Sequence, residues 1–249
     1  MLSKIALSAA AIALSALPIS AAPTRLTKQS LQVYTKCANS SQVALTFDDG
    51  PYNNFEQNIA DHLLDSKSNA TFFLNGNNFG CIYDHVDEIR ALHANGSIVA
   101  SHSWSHHHMT TLSVDQMHDE LALIEKAFIR ILGLRPRLFR PPYGEYNDDL
   151  VGVLQQRGYT GLIMWNRDTK DGSGATPDYC KGVYDQVAGG DIVLEHSVYN
   201  STVNEVVPYG VNVLKQKGLD LVALDLCLGL GIEEVYEEVG KPRNGTWHC

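Results

Sequence analysis

Strand-like and helix-like segments alternate along most of this chain, and this alternation restricts the possible folds more than any other feature. Seven short apolar runs resemble strands: QVALTF, ATFFLN, SIVAS, RLFR, TGLIMW, DIVLEH and LDLVAL. Segments with helical periodicity fall between them. Such alternation indicates parallel strands joined by crossover helices that cover the sheet. We therefore predict an α/β fold, a distorted (β/α)7 barrel, with a doubly wound open sheet as the alternative.

The clearest predicted helix is SVDQMHDELALIEKAFIRILG, in which Ser113 and Gln116 form a capping box and Gly133 marks the end. FEQNIADHLLDS is a second predicted helix. The segment STVNEVVPYGVNVLKQKG is a weaker candidate, because Pro208 and Gly210 interrupt its pattern.

The N-terminal residues are typical of a secretory signal. MLSKIALSAAAIALSALPISAAP has one lysine, then an apolar stretch, then small residues, and we expect cleavage near Ala21 or Ala22. A membrane anchor is the alternative, although the apolar stretch from Ile5 to Leu17 is short of the roughly 20 residues that a span needs. We predict a secreted protein, extracellular or in the cell wall, with a signal peptide at 1–21, one large domain at 40–230 and a loosely attached acidic tail at 231–249.

Secretion would place the five cysteines in an oxidising compartment. We predict that Cys37 pairs with Cys227, and the odd number leaves at least one thiol free or paired between chains. Five N-x-S/T sequons favour a glycosylated protein. Their asparagines are Asn39, Asn69, Asn95, Asn200 and Asn244.

The formal net charge of −9 argues against nucleic acid as a partner, because a polyanion would be repelled. It is compatible with a neutral substrate. We also expect no membrane association for the mature chain, because no later segment is apolar over the length of a span.

Acids, histidines and an arginine follow five of the seven predicted strand ends. These segments are DDGP after the first strand, SHSWSHHHM after the third, RPPYG after the fourth, WNRDTKDG after the fifth and EHS after the sixth. In α/β barrels, functional groups lie at the carboxyl ends of the strands. The sequence therefore predicts a functional site at that end of the barrel.

His102 and His106 are four residues apart, a spacing that places both rings on one face of a helical turn. Two imidazoles and one carboxylate would leave the fourth position of a catalytic zinc open. Neighbouring Asp48 and Asp49 can share such a site only if the strand ends there, as Gly50 suggests. One aspartate would then bind the metal while the other takes a proton from water. A solvated histidine-rich loop and a polar turn are the alternatives.

Five ordered motifs, TFDDGP, HSWSH, RPPYG, DTKDG and IVLEHS, resemble those of the polysaccharide deacetylase (NodB-homology) family, carbohydrate esterase family 4. The resemblance covers about Val43 to Val198, and within the family it is greatest to secreted fungal chitin deacetylases. It implies a distorted (β/α) barrel and metal-dependent removal of acetyl groups from N-acetylglucosamine units. The implied metal is Zn²⁺, with Co²⁺ as the alternative.

The resemblance also implies roles for individual residues. Asp48 would be the general base, held by Arg140. His196 would be the general acid that protonates the leaving amine, and Asp171 would lie behind it and keep it protonated.

The remaining implied roles concern the metal and the substrate. Asp49, His102 and His106 would bind the metal. The backbone N–H of Tyr143 would stabilise the oxyanion, and Leu194 would line the pocket for the acetyl methyl group.

Two positions depart from the family pattern. The fourth motif usually ends Asp-Trp, and here Gly172 replaces the tryptophan, so that Trp165 or Trp104 would have to supply the apolar support. After His106 the family often has a small residue or proline, and here His107 follows.

The expected partners are chitin, chitosan or chitin oligosaccharides, and the expected state is a monomer. An acetylxylan esterase or a peptidoglycan N-acetylglucosamine deacetylase would use the same chemistry. Other classes remain open: a non-haem iron oxygenase, which also uses two histidines and one acid, and a non-catalytic carbohydrate-binding protein. A glycosidase using Asp48 and Asp49 is disfavoured, because its carboxylates must be at least ~5 Å apart across the bond.

Overall fold

The computed structural model describes residues 31–249, so the predicted signal peptide at 1–21 lies outside the described residues. The strands are β1 Gln32–Tyr34, β2 Gln42–Asp48, β3 Thr71–Leu74, β4 Ile98–Ser101, β5 Leu134–Pro136, β6 Leu138–Phe139, β7 Gly161–Ile163, β8 Arg167–Asp168, β9 Ile192–His196, β10 Asp220–Leu221 and β11 Tyr236–Glu238. The helices are α1 Phe55–Asp65, α2 Val86–Ala94, α3 Val114–Leu132, α4 Asp148–Arg157, α5 Pro177–Tyr184, α6 Val207–Gln216, α7 Leu224–Leu228 and α8 Ile232–Val235.

The main sheet runs in the order β1-β7-β6-β4-β3-β2-β9-β8, and β10 also pairs with β2. Its strand pairs are parallel. The sheet curls into a partial barrel with helices around it, which confirms the predicted α/β distorted barrel. The strands β1 and β8 at the two ends of the sheet were not predicted, since three and two residues are too few to show a periodic pattern.

Alternation along β2 separates two cores. Leu45 and Phe47 belong to the outer core beneath the helices, where Phe47 stacks on Phe72 with ring centroids 5.4 Å apart. Ala44 belongs to a second core. Thr46 and Asp48 share the face of Ala44, because successive side chains point to opposite faces of a strand. The same rule that builds the core therefore aims Asp48 into the barrel.

The predicted helix at 113–133 is confirmed, with the capping box of Ser113 and Gln116 formed and Gly133 ending the helix at a φ of 76°. The weaker candidate at 201–218 is also helical. A wide turn at Thr202–Val206 leads into α6. Pro208 is accommodated because the π-helical turn just before it already breaks the regular hydrogen-bond pattern of the helix. Gly210 is required by packing, since a Cβ there would lie 2.4 Å from the Tyr184 ring.

The prediction of a loosely attached tail at 231–249 is wrong. β11 pairs antiparallel with β5. The buried Tyr236 hydroxyl donates to the carbonyl of Val99 and accepts from its N–H, at 2.9 Å each. Cys249 forms a disulfide with Cys81. The acidic composition suggested a solvated tail, whereas Tyr236 and Cys249 fix it to the barrel.

The predicted disulfide between Cys37 and Cys227 is confirmed. Cys180 is the one free cysteine, and it is buried. Among residues 31–249, the helices are all too short or too polar to cross a bilayer.

We expect the double variant Cys37→Ala/Cys227→Ala to lose about 2–4 kcal/mol of unfolding free energy. The disulfide closes a loop with a sequence separation of 190, and its loss frees the unfolded chain. Urea denaturation of the oxidised proteins measures the change. Cys180→Ala is the matched control, because it removes a buried thiol without breaking a cross-link. An equal shift in both variants would contradict the cross-link account.

Candidate metal centre and active site

Two neighbouring carboxylates reach one cavity because β2 ends between them. Asp48 is the last residue of the strand and points into the barrel, whereas Asp49 has a left-handed backbone with a φ of 76°. That turn brings the second side chain to the same side as the first, which a continued strand would prevent. Both residues are buried, at 3% and 7% exposure.

Asp49, His102 and His106 form the group in the described residues that is able to hold a metal ion, with ligand atoms all within 4.8 Å of one another. Asp49 Oδ1 lies 3.5 Å from His102 Nε2 and 3.2 Å from His106 Nε2. Among the described residues this buried oxygen has no hydrogen-bond partner. A buried carboxylate oxygen facing two ring nitrogens is the donor set that zinc prefers, so the residues fit such an ion.

The two histidines are presented by a loop, and the predicted helical turn is wrong. Residues 102–108 are not helical, and Ser103 and His106 have left-handed backbones with φ values of 69° and 55°. The rings nevertheless meet, with centroids 5.0 Å apart. His102 Nδ1 bonds the Arg140 carbonyl at 2.8 Å, which makes Nδ1 the protonated nitrogen and leaves the lone pair on Nε2.

Burial lowers the pKa of His106 to about 4, and the nearby His102 adds to this effect, while the charges of Asp49 and Asp48 oppose it. The ring is therefore neutral at physiological pH. A neutral imidazole is the form that binds a metal.

Asp48 is held by a fully buried arginine. Arg140 Nη1 donates to Asp48 Oδ1 and to Thr46 Oγ1, at 2.8 Å each. Arg140 Nε also donates to the Ile163 carbonyl at 3.2 Å. The guanidinium compensates the carboxylate charge and fixes its orientation.

On the other side of the cavity, His196 Nδ1 lies 2.7 Å from Asp171 Oδ1. Asp171 Oδ2 accepts from the backbone N–H of His196 and from the Thr202 hydroxyl, both at 2.8 Å. Burial alone would lower the pKa of His196, but the hydrogen bond and charge of Asp171, with Asp48 and Asp49 further away, raise it to about 9. His196 is therefore a cation at neutral pH.

A cavity of about 380 Å³ is lined by all but two of the site residues that the sequence predicted. Its lining includes Asp48, Asp49, His102, His106, Tyr143, Leu194 and His196. The two exceptions, Arg140 and Asp171, lie behind Asp48 and His196, where their predicted supporting roles would place them.

Gly172 leaves no room for the usual tryptophan. A Cβ at this position would lie 2.5 Å from Cε1 of His196. The Tyr199 ring lies beside His196 instead, with centroids 6.0 Å apart. Trp165 lines the cavity, whereas Trp104 packs against the outer core.

Sequence reasoning missed Tyr199 and Thr202, which contact the His196–Asp171 pair. Their signal was position alone, since both follow the IVLEHS motif within six residues. The carboxyl end of a strand faces the cavity, so a polar or aromatic residue just after it is a candidate site residue.

The sequence and structure of this chain are similar to those of one family of known proteins. The sequence model for "Polysaccharide deacetylase" matches residues 35–162. A chitin deacetylase of Pestalotiopsis sp is 34% identical over 215 residues, covering 84% of this chain and 70% of the relative. A peptidoglycan-N-acetylglucosamine deacetylase of Bacillus cereus is 30% identical over 195 residues, covering 75% of this chain and 68% of the relative.

Among solved structures, the chitin deacetylase from the fungal pathogen Colletotrichum lindemuthianum superposes with a TM-score of 0.78 at 32% identity. The match covers 83% of this chain and 96% of that structure. The barrel, the five motifs and these similarities agree, and this chain belongs to the polysaccharide deacetylase family.

Proposed function

We propose that this chain is a metal-dependent deacetylase that hydrolyses the N-acetyl groups of N-acetylglucosamine units in chitin or chitin oligosaccharides, giving chitosan and acetate. One observation carries the proposal. Asp49, His102 and His106 converge in a cavity that also holds a carboxylate, Asp48, and a cationic imidazole, His196. The chitin deacetylase of Pestalotiopsis sp is 34% identical, whereas the peptidoglycan deacetylase of Bacillus cereus is 30% identical and a xylanase/xylan deacetylase of Cellvibrio japonicus is 29% identical, which favours chitin as the substrate.

The proposed metal ligands are Asp49, His102 and His106, and the proposed metal is Zn²⁺, with Co²⁺ as the alternative. When bound, zinc would act as a Lewis acid on the acetyl carbonyl and lower the pKa of a water molecule to about 7. The neutral state of His106 supports this assignment.

Asp48 is the proposed proton acceptor. Its Oδ1 is engaged by Arg140, and its Oδ2 lies 3.7 Å from His102 Nε2, towards the metal ligands. One carboxylate oxygen is thus held by Arg140, while the other faces the proposed metal ligands and would accept the proton of an attacking water. Proton transfer of this kind typically contributes 10²–10⁴-fold to a rate.

His196 is the proposed proton donor to the leaving nitrogen. Its raised pKa keeps the proton on the ring at neutral pH, and Asp171 fixes Nδ1 so that Nε2 faces the cavity. Acid and base are therefore separated by their environments, as acid–base catalysis requires.

Two residues are proposed to contact the substrate. The Tyr143 backbone N–H would bind the oxyanion, and losing one such donor typically costs about 3 kcal/mol of transition-state stabilisation. Leu194 would contact the acetyl methyl group, since it lines the cavity from β9 and is only 5% exposed.

We also propose that the protein is secreted and glycosylated and acts as a monomer. Two disulfides are consistent with an oxidising compartment. Glycosylation would exclude Asn69, because its side-chain amide donates to the Gly96 carbonyl and Thr71 of the sequon is fully buried.

A panel of substrates tests the proposed function. Wild-type protein with zinc is expected to release acetate from chitin oligosaccharides, with products that lose one acetyl mass per reaction in mass spectrometry. Acetylated xylan and peptidoglycan fragments are the competitors. Faster acetate release from either competitor would transfer the proposal to that substrate.

We expect Asp49→Ala to lose zinc and nearly all turnover, because two imidazoles alone do not complete the ligand set. Metal content by mass spectrometry and acetate release measure the two effects. Asp168→Ala is the control for zinc content alone, since Asp168 lines the same cavity outside the proposed ligand set. Full turnover of Asp49→Ala, or of wild-type protein after exhaustive chelation, would refute the metal-dependent mechanism.

In the metal-free protein, we expect Asp171→Asn to lower the pKa of His196 from about 9 towards its ordinary 6.5, with the charges of Asp48 and Asp49 still in place. The negative charge that opposes burial is then lost, while the amide oxygen of asparagine can still accept from Nδ1. In wild type, the folded-state pKa exceeds the unfolded value. Protonated His196 therefore contributes stability that is complete below pH 6.5 and is lost as the pH rises towards 9.

NMR titration of the His196 ring measures its pKa in wild type and in Asp171→Asn. Urea denaturation at a series of pH values measures the stability that protonated His196 contributes. A His196 pKa that stays near 9 in this variant would contradict the role assigned to Asp171.

A further inference from the structure

The loop that carries both proposed metal-binding histidines is strained. Ser103 and His106 are non-glycine residues with left-handed backbones, at φ values of 69° and 55°. Such conformations persist only where the surrounding contacts fix them, and they cluster at functional sites. Something outside the loop must therefore hold the segment between these two residues.

A carboxylate from α3 makes those contacts. Glu120 Oε2 accepts hydrogen bonds from the backbone N–H groups of Trp104 and Ser105, at 3.0 and 2.9 Å. Glu120 Oε1 accepts from the Ser105 hydroxyl at 2.5 Å. Glu120 is only 9% exposed. All three bonds fall between the two left-handed residues.

Neutral contacts also hold the loop. The Trp104 carbonyl accepts from the backbone N–H groups of Gly76 and Asn77, at 2.9 and 2.8 Å. The Ser103 hydroxyl accepts from the His106 N–H at 3.1 Å. The Asn75 amide donates to the carbonyls of His102 and Ser103. Glu120 is the member of this set with a formal charge, and bonds from N–H groups to a charged acceptor are roughly twice as strong as neutral ones.

We propose that Glu120 is a positioning residue for the metal centre. It holds the Ser103–His106 turn in the conformation that directs Nε2 of both His102 and His106 at Asp49, although it touches none of the three. This inference rests on the proposed metal site, because the position of the imidazoles matters only if they share an ion.

The same helix supplies a matched control. Glu125 is also a buried glutamate of α3, at 5% exposure. It binds Arg157 through two hydrogen bonds of 2.7 Å and lies 3.7 Å from Arg135. Glu125→Ala therefore removes a buried carboxylate from the same helix without touching the histidine loop.

The test is zinc affinity, measured by calorimetry on metal-free protein. We expect Glu120→Ala to raise the zinc dissociation constant about tenfold, the lower end of the range for partners bonded directly to metal ligands, because Glu120 acts through the loop backbone. Glu125→Ala is expected to lower the thermal midpoint and leave the zinc dissociation constant unchanged. A purely structural role for Glu120 would give the two variants the same pattern.

Two conservative variants keep the test decisive if Glu120→Ala does not fold. Glu120→Gln retains the reach and loses the charge. Its amide oxygen accepts both N–H groups and its NH₂ donates to Ser105 Oγ, so its zinc affinity should fall less than that of Glu120→Ala. Glu120→Asp retains the charge and loses the reach, so its zinc affinity should fall.

The outcomes separate this inference from the proposed function. Wild-type protein that binds zinc with the same affinity as Glu120→Ala and Glu120→Asp would overturn the positioning role alone. Wild-type protein that binds no zinc would overturn both.

Discussion

One buried arginine connects the parts of this site. Arg140 is fully buried, and its guanidinium binds Asp48 and Thr46 on β2 while its carbonyl accepts from His102 Nδ1. The same residue therefore orients the proposed base and fixes the tautomer of a proposed metal ligand. Its ring neighbours, Phe73 at 4.2 Å and Trp165 at 5.6 Å, shield the cation from water. A charge buried to this extent is stable only with its partners in place, so the barrel interior and the site depend on each other.

The electrostatics divide the cavity into two sides. Asp48 and Asp49 lie on one side with His106, whose neutral ring adds no charge to oppose a cation. His196 lies on the other and carries a proton because Asp171 outweighs burial. Gly172 contributes to this arrangement because it has no side chain, which leaves space for the His196 ring. A fold that places unlike environments around one cavity can use an acid and a base at the same pH.

Strand alternation predicted the barrel, and the polar segments after the strands predicted a site at their carboxyl ends. The roles of individual residues, such as Arg140, Tyr143 and Leu194, came from the resemblance to a family. Sequence reasoning failed where local pattern is weak. β1 and β8 are too short to be periodic. The spacing of His102 and His106 suggested a helical turn, whereas contacts from α3 hold a strained loop. The tail was misjudged because its attachment through Tyr236 and Cys249 is tertiary, and composition does not report tertiary contacts.

X-ray diffraction from zinc-loaded crystals, with anomalous data collected at the zinc edge, tests the central claim most directly. The account predicts one strong peak about 2.0–2.2 Å from Nε2 of His102, Nε2 of His106 and a carboxylate oxygen of Asp49. A zinc ion bound elsewhere, or three side chains that do not share one peak, would contradict it.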